Sequence, residues 1–554
     1  MAKRKLAILS NITVDLIRMK LSSRFDIYIP EGFDTWILEC LNPESGIYTG
    51  KVDAVVILLD GTAASGWESL EEAEETLNSW KQGILALTGN MTEVLVFIST
   101  VDFRLNRIRA LEERQYRISL QNEWYQFAQE IAERTDNVYV FDLADVIADM
   151  GRKQFYSDKM WYMSSMPYSR EGLKAVCNVI TNLMGSAFDT RKKIIALDLD
   201  NTLWGGVAGE DGPEGIELSN HKEGQRFYDF QRQLLEMNKR GVLLTLVSKN
   251  NPEDVEPVLR EHPFMLLKEE HFVSPKINWQ EKAVNLKELE AELNLTESSF
   301  IFVDDNPAER EGVKAGCPQA EVADFPDDTT QLAAFAEKLY VDQLRPLRIL
   351  KEDLNKTRMY QNEELRKKDA AASLNLEDYL AKLEMRADIH RMRDSEMDRV
   401  VQLCGKTNQF NVTTKRYSRN EICEIAARPQ NAVYVAYLSD KYGESGLTGV
   451  VILLGEGEEI RIDSFLMSCR VMGRKLEDVI MNELIWHYCS DTAVFTAEYI
   501  PTSKNLPVKD LYDRLGFSLS HEQNGVKEYR AVLKDYQRRE FPFYQEICFE
   551  SGKL

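Results

Sequence analysis

The sequence predicts an α/β, multidomain chain. Three observations carry that expectation. Short apolar runs alternate with helical stretches through residues 1 to about 185, and the alternation restarts at 191. From about 386, strand-like runs follow one another before a further helix. Runs that are apolar throughout belong to strands covered on both faces, as in parallel sheets. The chain has 554 residues, 44% of them hydrophobic, which is enough for three or four packed domains.

The first region offers the strands "KLAILS" (5–10), "DAVVILLD" (53–60), "VLVFIST" (94–100) and "NVYVFDL" (137–143). Between them lie stretches of helical period such as "WESLEEAEETLNSWKQGIL". The second region offers "KIIALDLD" (193–200), "VLLTLVS" (242–248) and "SSFIFVDD" (298–305), each ending in polar residues. Ligands of open α/β sheets bind at the carboxyl ends of strands. Residues 330 to about 385 are charged and helical, and read as a solvated connecting helix. The last region offers "NAVYVAYLSD", "GLTGVVILLG" and "EIRIDSFLMSC", then the helix "KLEDVIMNELIWHY".

The formal net charge of -22 argues against non-specific nucleic-acid binding and against an anionic membrane surface. The eight cysteines form no CxxC pair and no disulfide framework. With no signal peptide read at the N-terminus and no apolar stretch long enough to span a bilayer, the expected compartment is a reducing cytoplasm.

Four pieces of the second region carry chemistry in chain order. They are Asp198-Leu199-Asp200-Asn201-Thr202, Ser248, Lys282 and Asp304-Asp305. Buried carboxylates need a partner or a metal. A carboxylate can attack a phosphoryl group and form an aspartyl-phosphate, the role expected of Asp198. A second acid two residues on can protonate the leaving oxygen and then activate water, the role expected of Asp200. Ser248 would bind phosphoryl oxygens, and Lys282 would neutralise charge between nucleophile and phosphate. Asp198, Asp200, Asp304 and Asp305 would form a Mg2+ site, since Mg2+ takes oxygen ligands.

This order and spacing resemble the haloacid dehalogenase (HAD) superfamily of phosphotransferases. Members acting on small metabolites usually carry a large cap. Here 203–241 is mostly a Gly-rich loop plus one helix, and 251–275 is too short for a large cap. The expected core is therefore Rossmann-like with a short or absent cap. An open site suits a bulky substrate such as a protein-borne group, unless flanking domains close it.

"DLDNTLWGGVAGEDG", "SKNN", "NWQEKAVN", "VDDNPAERE", "TNQFNVTTKRY" and "SCRVMGR" together resemble FkbH-like proteins, in HAD subfamily IIIC, over nearly the full chain. That resemblance implies a specific reaction. A glyceryl unit is taken from 1,3-bisphosphoglycerate, phosphate is removed, and glycerate reaches the phosphopantetheine thiol of an acyl carrier protein. Such proteins serve polyketide, nonribosomal-peptide and surface-glycan pathways. Loading members often carry a cysteine just before "SKN"; Val247 stands there in this chain.

In the last region, Arg470-Val471-Met472-Gly473-Arg474-Lys475 resembles the R-x-x-G-x-G/A loop of GNAT acyltransferases, with Lys475 in place of the final Gly/Ala. Backbone N–H groups at such a helix start cradle pyrophosphate. "PTSKNLPVKDLYDRLGF" resembles the GNAT ending, which implies a coenzyme contact at Asn505 and a general acid at Tyr512. The cofactor-binding set is Arg470, Gly473, Arg474, Asn505 and Tyr512. The groove would take coenzyme A or the phosphopantetheine arm of a carrier protein. Arg470, Arg474, Lys475, Lys406, Lys415 and Arg416 would supply a basic patch for an acidic carrier. Cys469, beside these cations, is a candidate acyl acceptor.

The first region resembles an SGNH-like, flavodoxin-type domain, through its strand order and "MSSMPYSREGL". Ser10 follows the first strand without a GDS block. Trp161 stands where a histidine would follow Asp158, and no histidine precedes His221. A Ser/His triad is therefore impossible within this region, which reads as degenerate. Phe155, Tyr156, Trp161, Tyr162 and Tyr168 read as core or interface.

The expected domains are 1–188 (SGNH-like), 189–345 (HAD-like), 346–385 (helical linker) and 386–554 (GNAT-like α+β). The expected function is Mg2+-dependent processing of a phosphorylated three-carbon acid and loading of a carrier protein. The alternative is a phosphatase on a phosphorylated sugar or acyl intermediate, with separate GNAT acyl transfer. A third reading, a non-catalytic scaffold, is opposed by the intact set of four motifs.

Overall fold

The computed structural model describes residues 3–61, 70–104, 115–188, 191–407, 409–456, 459–488, 494–532 and 536–550. Two compact units divide the chain: Met1–Lys192 with Glu337–Arg348, and Lys193–Ala336 with Ile349–Leu554. The fold class is the multidomain α/β arrangement that the sequence predicts. No helix among the described residues is long and apolar enough to cross a membrane.

The first unit holds a parallel sheet of β1 (Lys5–Ser10), β2 (Asp26–Tyr28), β3 (Ala54–Leu58), β4 (Leu95–Ser99) and β5 (Val138–Phe141), in the order β2-β1-β3-β4-β5. Alternate residues of one strand enter two separate cores. Ala7, Leu9, Val55 and Ile57 pack on one face; Leu6, Ile8, Ala54, Val56 and Leu58 pack on the other. Continuous apolar runs are what two covered faces require. β2 escapes sequence reading because it has three residues and no buried position. Residues 337–348 dock here through Asn182 Nδ2, which donates to Asp342 Oδ1 at 2.9 Å, and Lys192 N, which donates to Gln343 O at 2.8 Å.

In the first unit, the strand-end polar residues are tied to one another. Ser10 Oγ donates to Leu58 O, Arg104 pairs with Asp60, and Arg152 pairs with Asp102. Phe155, Tyr156 and Tyr168 form one ring cluster, with Phe155 and Tyr168 buried, whereas Tyr162 is exposed.

The second unit begins with a parallel sheet of β6 (Ile194–Leu197), β7 (Leu243–Ser248), β8 (Lys276–Ile277), β9 (Phe300–Val303) and β10 (Glu321–Val322), ordered β10-β9-β6-β7-β8. Its central strands β6, β7 and β9 are wholly buried. The intervals 203–241 and 251–275 hold short helices and turns, not a cap domain.

The helix Lys356–Ala371 corrects one expectation: it is no solvated spacer. Lys356 Nζ donates to Gly241 O and Gln361 Nε2 to Phe272 O. Its opposite contacts reach the last region, where Arg366, 4% exposed, grips both carboxylate oxygens of Asp440 at 2.7 and 2.9 Å. The charged composition serves these pairs rather than solvation.

The last region is a mixed sheet of β11 (Met385–Arg391), β12 (Ala432–Asp440), β13 (Gly443–Glu456), β14 (Glu459–Met467), β15 (Val494–Tyr499), β16 (Ser518–Gln523), β17 (Val526–Val532) and β18 (Tyr544–Glu550). Their order is β16-β17-β15-β14-β13-β12-β11-β18. β14 and β15 pair in parallel over Glu459–Ile462 and Val494–Ala497. Beyond Ile462, a different segment pairs with β14. Val412 N donates to Phe465 O at 3.1 Å, and Met467 N donates to Phe410 O at 3.0 Å. On its other side, Ile500 N donates to Val412 O at 2.9 Å. Residues Phe410–Thr413 thus fill the gap where the two strands part, and all four are buried.

Candidate active site

β6 delivers Asp198 as its first residue past the strand, and Asp198 N donates to Val303 O, holding it beside the end of β9. A tight turn follows. Asn201 adopts φ 54°, a left-handed conformation that asparagine tolerates, and its Oδ1 accepts from Gly206 N at 3.0 Å. Gly206 sits at φ 91°, where a Cβ would also lie 2.6 Å from Asp211 Oδ2.

Four sequence-predicted residues converge. Asp198 Oδ1 accepts from Ser248 Oγ at 2.6 Å and lies 2.9 Å from Lys282 Nζ. Lys282 Nζ also meets Asp304 Oδ2 at 2.6 Å. Ser248 ends β7, Lys282 opens the helix Lys282–Leu293, and Asp304 follows β9. Asp198, Lys282 and Asp304 are all buried. Burial alone would lower the Lys282 ammonium, but Asp198 and Asp304 outweigh it and raise its pKa. Burial and the Asp198 charge push the Asp304 carboxyl up to about 6, and the same causes raise Asp305.

One oxygen from each of Asp198, Asp304 and Asp305 lies within 4.8 Å of the others. Three carboxylates face a single ammonium, and all offer hard oxygen donors. This donor set fits Mg2+.

Asp200 does not join that group, which corrects the metal role given to its carboxylate. Its Oδ1 accepts from Trp204 Nε1 and Ala208 N, and its Oδ2 accepts from Asn250 Nδ2 at 2.9 Å. These donors fix the side chain beside the cluster.

Three further residues support the site. Asn250 Nδ2 also donates to Ser248 Oγ at 3.1 Å. Thr202 Oγ1 accepts from Asp305 N, and Arg310 donates to the carbonyl oxygens of Asp304 and Asp305. Asn250 stood in the quoted "SKNN". It lies two residues past Ser248, in the bend that follows β7.

The predicted coenzyme site fares differently. Arg474 is 3% exposed, pairs with Glu363 at 2.7 Å, and donates to Arg470 O. Asn505 is fully buried; its Nδ2 donates to Asn411 O and Ile500 O, and its Oδ1 accepts from Thr502 N. It anchors the segment that fills the strand gap, so it is not open to a coenzyme. Tyr512 is 1% exposed, packed against the rings of Phe517 and Tyr529, and burial raises its pKa. Gly473 turns at φ 81° before Lys475, which pairs with Asp478. Arg470 stacks over Tyr360, with its guanidinium carbon 5.8 Å from the ring centroid.

The expected basic patch is mostly consumed internally. Lys415 pairs with Asp463 at 2.6 Å, and Arg416 donates to the Thr407 and Cys404 carbonyls. The side chains of Cys469 and Lys406 lie outside the described residues.

No protein-family model matches the chain, and no curated protein matches it. Among solved structures, the chain is similar to the N-terminal part of the protein BF1531 from Bacteroides fragilis, described as containing a phosphatase domain complexed with Mg. The identity is 22%, the match covers 63% of this chain and 95% of that one, and the TM-score is 0.56. A likeness at that identity speaks for the fold alone. Smaller matches fall on the ribosomal-protein-S18-alanine N-acetyltransferase of Escherichia coli and a Vibrio cholerae spermidine N-acetyltransferase. The first has 10% identity over 28% of this chain and 99% of that one, with TM-score 0.22. The second has 12% identity over 27% and 96%, with TM-score 0.21.

Proposed function

We propose that the Asp198 site catalyses Mg2+-dependent phosphoryl transfer to water through an aspartyl-phosphate. The observation that carries this reading is the double hold on one oxygen of Asp198, by Ser248 and Lys282, beside Asp304 and Asp305. Both partners take Oδ1, so Oδ2 is the oxygen offered for attack.

In the first step a bond forms between Asp198 Oδ2 and phosphorus while the bond to the leaving oxygen breaks. Protonated Asp200 gives that oxygen its proton. In the second step Asp200 takes a proton from water, the water oxygen bonds to phosphorus, and the bond to Asp198 breaks. Ser248 and Lys282 bind the phosphoryl oxygens and hold the nucleophile. Asp198, Asp304 and Asp305 would hold Mg2+, which supplies positive charge against the phosphoryl group. Such preorganised charge is usually the largest catalytic contribution.

The finer form of this reading is the FkbH-like one. The carrier's thiol sulfur bonds to the acyl carbon of 1,3-bisphosphoglycerate as the acyl phosphate leaves with the thiol proton, and the Asp198 site then hydrolyses the remaining phosphate ester, so that a glyceryl thioester stays on the acyl carrier protein. It rests on the motif resemblance and the uncapped site. The internal pairing of Arg474, Lys415 and Arg416 favours the alternative, phosphate release from a phosphorylated sugar or acyl intermediate without a carrier gripped at the last region.

The test supplies the purified protein and Mg2+ with 1,3-bisphosphoglycerate generated in place and a holo carrier protein. Phosphate release and intact-protein mass are followed together. A glyceryl mass gain on the carrier supports loading, and phosphate release without it supports the hydrolase form. Asp198→Asn must abolish the phosphate release that exceeds the donor's own decay and its displacement by the carrier thiol; unchanged turnover would sink the assignment.

A further inference from the structure

Trp36, Trp80, Trp124 and Trp204 are buried, each 2% exposed or less. Trp279 is 68% exposed, yet it is not loose. Its Nε1 donates to Asn251 Oδ1 at 2.8 Å. Trp279 lies three residues before Lys282, and Asn251 lies three residues after Ser248. The indole therefore bridges the two loops that deliver the phosphoryl-binding lysine and serine.

Both loops are fixed from below. Asn278 N donates to Ser248 O at 3.1 Å, and the amides of Asn278 and fully buried Asn285 exchange hydrogen bonds. Asn251 Nδ2 donates in turn to Asp254 Oδ2. Neither interval that could hold a cap covers the site with a domain. A rigid aromatic face held out into solvent has lost its rotamer freedom in advance, which favours binding.

We propose that Trp279 is a specificity-determining residue of the Asp198 site. The apolar or aromatic body of a phosphorylated substrate packs on its indole while the phosphoryl group meets Asp198 Oδ2. This rests on the phosphoryl-transfer reading, in its alternative form and not the 1,3-bisphosphoglycerate one, and names the substrate class for it: phosphate carried by a group with an apolar face.

The test uses full-length Asp198→Asn protein, which binds without turnover, titrated calorimetrically with phenyl phosphate and methyl phosphate in the presence of Mg2+. Phenyl phosphate is expected to bind about tenfold more tightly, the scale of one buried aromatic contact. Adding Trp279→Ala should remove that advantage and leave methyl phosphate unchanged, and Trp279→Phe should keep most of it. Equal affinities for the two ligands, or an equal loss for both in Trp279→Ala, would overturn the role of Trp279 alone. Failure of both ligands to bind, with no phosphate released by the unsubstituted protein, would overturn the phosphoryl-transfer reading along with it.

Discussion

Lys282 Nζ lies 2.9 Å from Asp198 Oδ1, and both side chains are buried. The same ammonium reaches Asp304 at 2.6 Å, so one cation answers for two carboxylates that approach each other. Removing one partner of a buried pair leaves an uncompensated charge.

Lys282→Met is therefore expected to lower stability by about 3–5 kcal/mol. Because Asp198, Asp304 and Asp305 are then bare, added Mg2+ should raise the melting temperature of the variant more than that of the parent. Thermal unfolding with Mg2+ and with a chelator reads both effects. Indifference of both proteins to Mg2+ would rule out the three-carboxylate metal site.

Arg366 makes a second buried pair, with Asp440, side chains 4% and 0% exposed. Arg366→Ala should cost about 3–5 kcal/mol in denaturant unfolding. Arg18→Ala removes an exposed pair with Asp15 and should cost less than about 1 kcal/mol. Equal costs would mean that the helix Lys356–Ala371 does not stay packed in solution.

The gap between β14 and β15 is occupied by Phe410–Thr413, whose backbone uses the edges that an amide-bearing arm would pair with. Coenzyme A is accordingly expected to give no saturable heat in calorimetric titration of the full-length protein. A saturable isotherm would show that this segment leaves the gap.

Thiol reactivity should follow burial. Burial pushes the Cys40 and Cys404 thiols up to about 12, and the thiolate is the reactive form. Among the described cysteines, iodoacetamide at about pH 8 should label exposed Cys423 first in the native protein. Cys548, also exposed, should follow more slowly, since Glu546 raises its pKa. Cys40, Cys177, Cys317 and Cys404 should be labelled only after unfolding. Peptide mass spectrometry checks the order, and native labelling of Cys404 would contradict the packing described.

The sequence by itself determined the strands whose residues are apolar on both faces, such as Ala54–Leu58 and Leu243–Ser248. It also picked out the strand-end residues Asp198, Ser248 and Asp304, and Lys282 at the start of a helix. A carboxylate or hydroxyl at the end of a buried strand is a local signal, since burial leaves few other places for it. Short strands such as Lys276–Ile277 carried no such signal, because two residues have no period. Only the tertiary structure decided which charges are spent. Arg474 and Lys415 read as part of a basic patch until their partners Glu363 and Asp463 came within reach, from 111 and 48 positions away. Asn505 matched a coenzyme contact until Asn411 O, 94 positions away, took its amide. Asp200 read as a metal ligand until Asn250, 50 positions away, took its Oδ2. A hydrogen bond needs its two atoms within about 3.5 Å, and long-range partners are brought that close only by folding.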